Sequence, residues 1–256
     1  MQRKYPRGLE VSVRKPAVAG AFYPDDKLEL KEMLDKFFEN VPKSDGRVPK
    51  AVIVPHAGYV YSGQVAAYAY KCIRDYKKVI LLGPSHHVYL NDVVTDTHKT
   101  WETPLGIVKV AENEFDKDEE AHFSEHCLEV QIPFLQFVLK KFEIIPLVVG
   151  EVNIKSASER IQKILDEKTL LVISSDLSHY HDYDTAKRLD GGTTNTIKNM
   201  DEEGDIDACG EVPIRVMIDI AKIKNWKPEV LECKNSGDAT GEKSMVVGYS
   251  SIAFYA

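Results

Sequence analysis

Four short apolar runs constrain the fold more than any other feature of the chain. They occupy residues 51–54, 79–82, 144–149 and 170–173. None alternates with polar residues, which is typical of parallel strands that helices cover on both faces of a sheet. Segments with helical spacing separate them, so the pattern predicts an α/β fold with a mostly parallel central sheet flanked by helices. With no break in composition, residues 1–256 are expected to form a single domain.

Apolar residues at helical spacing predict helices over 26–38, 64–75, 156–166 and 214–224, the last entered through Pro213. A central helix is predicted to open at Ser124 and to continue through the apolar series from Leu128 to Leu139, in which Pro133 either introduces a kink or marks a later start. Two strands, 229–233 and 246–255, are expected to extend or flank the sheet near the C-terminus.

Composition and motifs exclude several classes of protein. The 33 Lys and Arg against 40 Asp and Glu give a net charge of −7, which lacks the basic footprint of a nucleic-acid-binding protein. No apolar run approaches the ~20 residues of a membrane span, and the basic N-terminus is not followed by the apolar core of a secretory leader. The four cysteines form no C-x-x-C pair, and glycine-rich nucleotide-binding motifs do not occur. We therefore expect a cytoplasmic protein with reduced thiols and no nucleotide cofactor.

Polar motifs directly follow three of the four predicted strands. They are Pro-His-Ala-Gly-Tyr at 55–59, Gly-Pro-Ser-His-His at 83–87 and Ser-Ser-Asp-Leu-Ser-His-Tyr-His at 174–181. The carboxyl ends of parallel strands share one edge of the sheet, where open α/β proteins bind their ligands. Two histidines and a carboxylate form the iron site of mononuclear non-haem enzymes, and imidazoles also bind zinc and copper. The sequence therefore predicts a metal site at this edge, which only one of the adjacent His86 and His87 is expected to face.

Two other groups are candidates for the same site. His126 and Glu129 stand three residues apart on the predicted central helix and would share a face, as an orienting pair or as a helix-start carboxylate beside a partly exposed histidine. Cys209 lies shortly before the Pro213 helix, a position that favours a thiolate ligand or nucleophile. Cys72, Cys127 and Cys233 are expected to be small buried side chains, and His98 and His181 are expected to lie at the surface.

Seven motifs, in this order along nearly the whole chain, resemble those of the Memo-like family. They are 19–24, 55–63, 83–87, 101–106, 125–129, 174–179 and Cys209-Gly210. The resemblance, to archaeal and bacterial members, implies a fold similar to that of class III extradiol dioxygenases, which are non-haem Fe(II) enzymes. It also implies AMMECR-type and radical-SAM proteins as partners, because they are often encoded beside prokaryotic members. The eukaryotic member acts in cell-motility signalling.

The resemblance also implies roles for individual residues. His56 and His86 are similar to the two iron-binding histidines of the dioxygenases, and Cys209 falls where those enzymes have a carboxylate ligand. His179 resembles the acid/base histidine, with Asp176 beside it. Around them, a pocket and supporting shell is expected from Tyr59, Ser85, His87, His126 and Glu129. A thiolate is softer than a carboxylate and favours copper or tightly held iron, so ring cleavage does not follow from the fold.

Three functions stay open at this point. The first is a metal-dependent oxidoreductase that uses Fe(II) or Cu on an unidentified substrate. The second is a module that binds a peptide or small molecule in the same cleft without catalysis, with Tyr59, Tyr61, Trp101 and Tyr180 as aromatic contacts. The third is a thiol hydrolase in which Cys209 is paired with His179.

Overall fold

The computed structural model describes residues 12–256, which form one α/β unit; the basic stretch at the N-terminus lies outside the described residues. The strands are β1 Val13–Arg14, β2 Ala51–Val54, β3 Lys78–Pro84, β4 Val93–Thr95, β5 Thr100–Thr103, β6 Gly106–Val110, β7 Asp116–Lys117, β8 Glu143–Val149, β9 Thr169–Ser174, β10 His179–His181, β11 Lys227–Asn235 and β12 Val246–Tyr255. The α-helices are α1 Lys27–Glu39, α2 Tyr59–Tyr70, α3 Glu119–Phe123, α4 Ile132–Val138, α5 Ile154–Ile164, α6 Tyr183–Asn199, α7 Glu211–Lys224 and α8 Ser236–Thr240.

The four predicted apolar runs form the centre of one large sheet, as expected. Its main path runs β1-β5-β6-β8-β3-β9-β2-β12-β10, and β8, β3, β9 and β2 are parallel neighbours. β12 pairs antiparallel with β2 along one edge and with β11 along the other, and its first residues pair with β10, so the two predicted C-terminal strands extend the sheet.

Alternate residues of each central strand pack into different apolar layers. In β2, Val52 and Val54 belong to the layer that contains α1, α2 and α4, whereas Ala51 and Ile53 belong to the layer that contains α5 and α7. The other central strands divide in the same way. A strand points successive side chains to opposite faces, so burying both faces requires an apolar residue at every position.

Most predicted helices exist, with shifted ends. α1 begins one residue after Asp26, whose carboxylate accepts from the backbone N–H groups of Leu28 and Glu29. α2 begins at Tyr59 instead of residue 64, and α7 begins at Glu211, two residues before Pro213. The predicted central helix is shorter: residues 129–131 form a 3-10 turn and α4 starts at Ile132, so Pro133 marks a later start.

The 17-residue α6 was not predicted, because its sequence is polar and contains Gly191-Gly192, which disfavour a helix in isolation. None of the helices in residues 12–256 is long and apolar enough to cross a membrane.

Candidate metal centre

The strand order brings three polar segments together at one edge of the sheet. β9 lies between β3 and β2 and runs parallel to both, so the segments after Val54, Pro84 and Ser174 emerge side by side. The loop before α7 adds Cys209 to this edge. One nitrogen each of His56 and His86 and the Sγ of Cys209 all lie within 4.8 Å of one another. Nε2 of His56 is 3.2 Å from Cys209 Sγ.

Hydrogen bonds assign the tautomer of His56. Ser174 Oγ donates its proton to the carbonyl of Cys127 at 2.6 Å, so it must accept from Nδ1–H of His56 at 3.1 Å. Gln131 Nε2 donates to the same hydroxyl at 2.8 Å, while Tyr70 OH donates to Gln131 Oε1. A histidine protonated on Nδ1 carries its lone pair on Nε2. The coordinating atom of His56 therefore faces Cys209.

Glu125 assigns the tautomer of His86 in the same way. Its carboxylate is buried, with 1% of the side chain exposed, and its Oε1 lies 3.0 Å from His86 Nδ1. It also accepts the backbone N–H groups of His86, His126 and Cys127 at 2.7–3.0 Å. Burial alone would raise the pKa of Glu125, but the bonds from His86 and these amides outweigh it and hold that pKa well below its usual range. The ionised carboxylate keeps the proton of His86 on Nδ1, leaving Nε2 free to coordinate.

Glu125 was not among the predicted site residues, which instead included Glu129. That choice assumed a helix through residues 124–129, and the structure corrects it: residues 125–128 precede the 3-10 turn. Glu129 points away from the histidines and accepts from Arg14 and Tyr23, both at 2.7 Å, and from the backbone N–H groups of residues 17 and 18. It anchors the N-terminal segment. The position of Glu125 inside a resemblance motif was the available sequence clue to its importance.

His126 is a third imidazole at the site. Its ring centre lies 4.8 Å from that of His86 and 5.4 Å from that of His56, with the edge of Phe22 packed against it. Burial, then the neighbouring His56, lower the pKa of His126 to about 4. At neutral pH it is therefore an uncharged donor or acceptor beside the two candidate ligands.

Asp176 links the first and third motifs. Its Oδ1 accepts the N–H of His56 at 2.7 Å and that of Ala57 at 3.3 Å, and its own N–H donates to Cys209 Sγ at 3.3 Å. Burial raises the pKa of Asp176. Asp176 thus ties together the backbone of two segments that supply candidate ligands, while Oδ2 stays 3.9 Å from His56 Nε2.

A cavity of about 780 Å³ opens onto this cluster. His56, His86, His126, Asp176 and His179 all line it. His179 lies in β10 and is half-buried there. Tyr61 and Tyr180 also line the cavity, and each is exposed.

Other predicted pocket residues lie elsewhere. Tyr59 is buried in the core, where its hydroxyl donates to the carbonyl of Val130, and Trp101 is buried with its Nε1–H on Asp96. Ser85 closes a turn, donating to the carbonyl of Val88. His87 lines a different cavity, whereas His86 lines this one and contacts Glu125, so His86 is the histidine of that pair that faces the site. His98 and His181, expected at the surface, are both half-buried.

The cysteines differ strongly in environment. Burial, then the carboxylate of Asp176, raise the pKa of Cys209 to about 12, which does not favour the free thiolate that a Cys–His hydrolase requires. Cys127 is fully buried and its thiol donates to the carbonyl of Pro84 at 3.3 Å. Cys72 is buried as expected, whereas Cys233, predicted to be buried, is exposed.

The donor set fits a transition metal. Two imidazole Nε2 lone pairs and one sulfur converge, and each imidazole is oriented through its other nitrogen, as is usual for metal-bound histidines. Imidazole and thiolate together suit iron and copper better than magnesium or calcium, which require oxygen ligands. A second group, His86, Glu125 and Cys127, also lies within 4.8 Å, but Glu125 is already saturated with hydrogen bonds.

Comparison with known proteins identifies the family to which the chain belongs. The family described as Memo-like protein matches residues 14–253. A MEMO1 family protein of Aquifex aeolicus is 39% identical over 94% of this chain and 99% of its own length. Those of Sulfolobus acidocaldarius and Metallosphaera sedula are 38% and 36% identical, with the same coverage of both chains. The chain therefore belongs to the Memo-like protein family.

Proposed function

We propose that this protein binds iron or copper through His56 Nε2, His86 Nε2 and Cys209 Sγ, and that it is a metal-dependent oxidoreductase. One observation carries the proposal: hydrogen bonds to Ser174 and Glu125 leave both imidazoles with a free Nε2, and the candidate ligand atoms lie within 4.8 Å of one another. Packing alone does not require this arrangement, because well-packed apolar side chains in place of buried polar groups often stabilise a fold at least as well.

A bound iron or copper ion would supply one-electron redox chemistry at the floor of the cavity. Two surrounding residues, His179 and Asp176, would contribute to the reaction. His179, which lines the cavity without belonging to the ligand set, would exchange a proton with a substrate bound there. Asp176 would hold the His56 and Cys209 segments in register through the N–H bonds that it accepts and donates. The substrate would be a small molecule or peptide side chain, given the cavity of about 780 Å³.

Metal titration under anaerobic conditions, followed by elemental analysis, tests the ligand set. His86→Ala should lose metal, whereas His87→Ala, at the adjacent exposed histidine, should retain it. His56→Ala should lose metal as well. Uptake by His56→Ala and His86→Ala equal to that of the unmodified protein would refute this site.

A second candidate function has its own support. Tyr61, Tyr180 and Met245 line the same cavity and are 45–67% exposed, an apolar rim suited to a peptide or small molecule. In that case the cleft is a binding module without catalysis. Calorimetric screening of metal-free and metal-loaded protein separates the two candidates, because a module binds its ligand equally well without metal.

A cytoplasmic location belongs to the proposal, as does association with AMMECR-type and radical-SAM proteins, which rests on the family resemblance alone. Co-purification of the tagged chain with such proteins from its own host is the direct test.

A further inference from the structure

A second cavity, of about 1050 Å³, has a charge opposite to that of the whole chain. Six lysines line it, on α1, before β3, on β6 and between α4 and β8: Lys27, Lys31, Lys77, Lys109, Lys140 and Lys141. Its lining contains one acidic residue, Glu143. In a chain of net charge −7, this concentrates positive charge on one face, here called the lysine groove.

The lysines of this groove are not neutralised by the protein. All six are exposed, and none forms an ion pair with a carboxylate among residues 12–256, although five lysines elsewhere do. Like charges held close together without counter-charges repel one another and disfavour the folded state. The six unpaired lysines therefore attract an anionic partner and at the same time lower the stability of the folded state.

The floor of the groove is apolar, and hydrogen bonds of Gln136 join two of the segments that form it. Leu105, Ile107, Phe137 and Phe142 contribute to it, and Ile107 is 60% exposed. Gln136 fixes the β5–β6 turn to α4, because its Nε2 donates to the carbonyl of Gly106 and its Oε1 accepts from Thr103 Oγ1. An occupant would therefore find a preformed surface with an exposed aliphatic side chain among the lysines.

The lysine groove is separate from the candidate metal centre. It lies where β3 and β8 begin, whereas His86 follows the end of β3. At ~3.3 Å per residue, the seven residues of β3 separate the two sites by roughly 20 Å.

We propose that the lysine groove binds an acidic segment of a partner protein that carries at least one apolar anchor residue. The six lysines favour an anionic partner by charge complementarity. The exposed Ile107, with Leu105 and Phe137 in the same lining, offers an apolar contact to that partner. The lining contains no arginine, the residue that recognises a phosphate or a single carboxylate with a rigid two-pronged contact. Flexible lysines on separate walls suit instead several carboxylates spread along a chain.

Fluorescence anisotropy with a labelled peptide, in which Asp and Glu flank a Leu-Phe pair, tests this proposal. Lys140→Glu/Lys141→Glu should weaken binding by about tenfold or more. Lys155→Glu/Lys198→Glu is the matched control, because it makes the same charge change at two exposed lysines outside the groove, and it should change the affinity by less than about twofold. Affinity should fall as salt is raised. Lys27→Glu/Lys31→Glu, on another wall, should reproduce the loss.

Further measurements distinguish the acidic segment from other possible occupants of the groove. Ile107→Ser should weaken binding of the Leu-Phe peptide but leave that of inorganic tripolyphosphate unchanged. Equal loss in the control variant, equal binding of a peptide with Asn and Gln in place of the acids, or tripolyphosphate competing as well as the peptide would each overturn the proposal. So would salt-sensitive self-association that Lys140→Glu/Lys141→Glu abolishes, since the occupant would then be a second copy. Metal content should be the same in all variants, which keeps this test independent of the metal centre.

Discussion

Nδ1 of His86 lies 3.0 Å from Oε1 of Glu125, and the backbone N–H of the same histidine donates to the other oxygen of that carboxylate. The two contacts fix both the position of the loop after β3 and the tautomer of the ring. His86 is thus oriented for coordination by a residue that lies 39 positions later in the chain.

Glu125→Gln should weaken metal binding by about 10- to 100-fold, because a neutral amide has a single acceptor oxygen and holds the Nδ1–H of His86 more weakly than a carboxylate does. Competition with a chromogenic chelator measures this affinity. Glu120→Gln, at an exposed glutamate of α3, is the control and should bind metal normally. Unchanged affinity in Glu125→Gln would mean that His86 needs no such partner.

Cys209→Ser should remove the sulfur ligand and its absorption. With copper or iron bound, a thiolate ligand gives a sulfur-to-metal charge-transfer band, which serine does not. Absorption spectroscopy of the metal-loaded protein detects it directly. Cys233→Ser, at an exposed cysteine, should retain the band; its retention in Cys209→Ser would exclude Cys209 as a ligand.

Glu129→Gln should lower the free energy of unfolding by about 3–5 kcal/mol, because it leaves the buried Arg14 without its counter-charge. Denaturant unfolding provides the value. In Glu102→Gln the exposed pair with Lys15 is lost, and the expected cost is only about 0–1 kcal/mol. A small effect at Glu129 would contradict its assignment as the anchor of the N-terminal segment.

Acid should destabilise the fold through His122. Burial, despite the nearby Asp96, lowers the pKa of His122 from 6.5 to about 4, and its buried Nδ1 has no hydrogen-bond partner among the described residues. The unfolded chain therefore binds this proton first, so stability present above pH 6.5 is lost as the pH falls towards 4.

His122→Phe removes that titration. Between pH 7 and 4 the variant should lose less unfolding free energy than the unmodified protein, by up to about 3 kcal/mol. Chemical denaturation at a series of pH values gives both curves. Parallel curves over that range would show that His122 does not contribute.

The central strands and their helices were predictable because their information is local. An apolar residue at every position of 51–54 is required only where a strand is covered on both faces, and Asp26 marks the start of α1 by capping it. α6 was missed for the converse reason: its polar sequence around Gly191-Gly192 is weakly helical by itself, and packing of residues such as Ile197 stabilises it.

The candidate site likewise contains residues that local sequence information places and residues that only long-range packing brings together. That His56, His86 and Asp176 share one edge of the sheet was predictable from the sequence, because each follows a parallel strand within two residues. The approach of Cys209 to His56, 153 residues away in the chain, and the support of His86 by Glu125 rather than Glu129 became evident only from the folded chain. Those contacts depend on how α7 and the loop before α4 pack against the sheet, and side-chain packing between distant segments leaves no periodic pattern in the sequence.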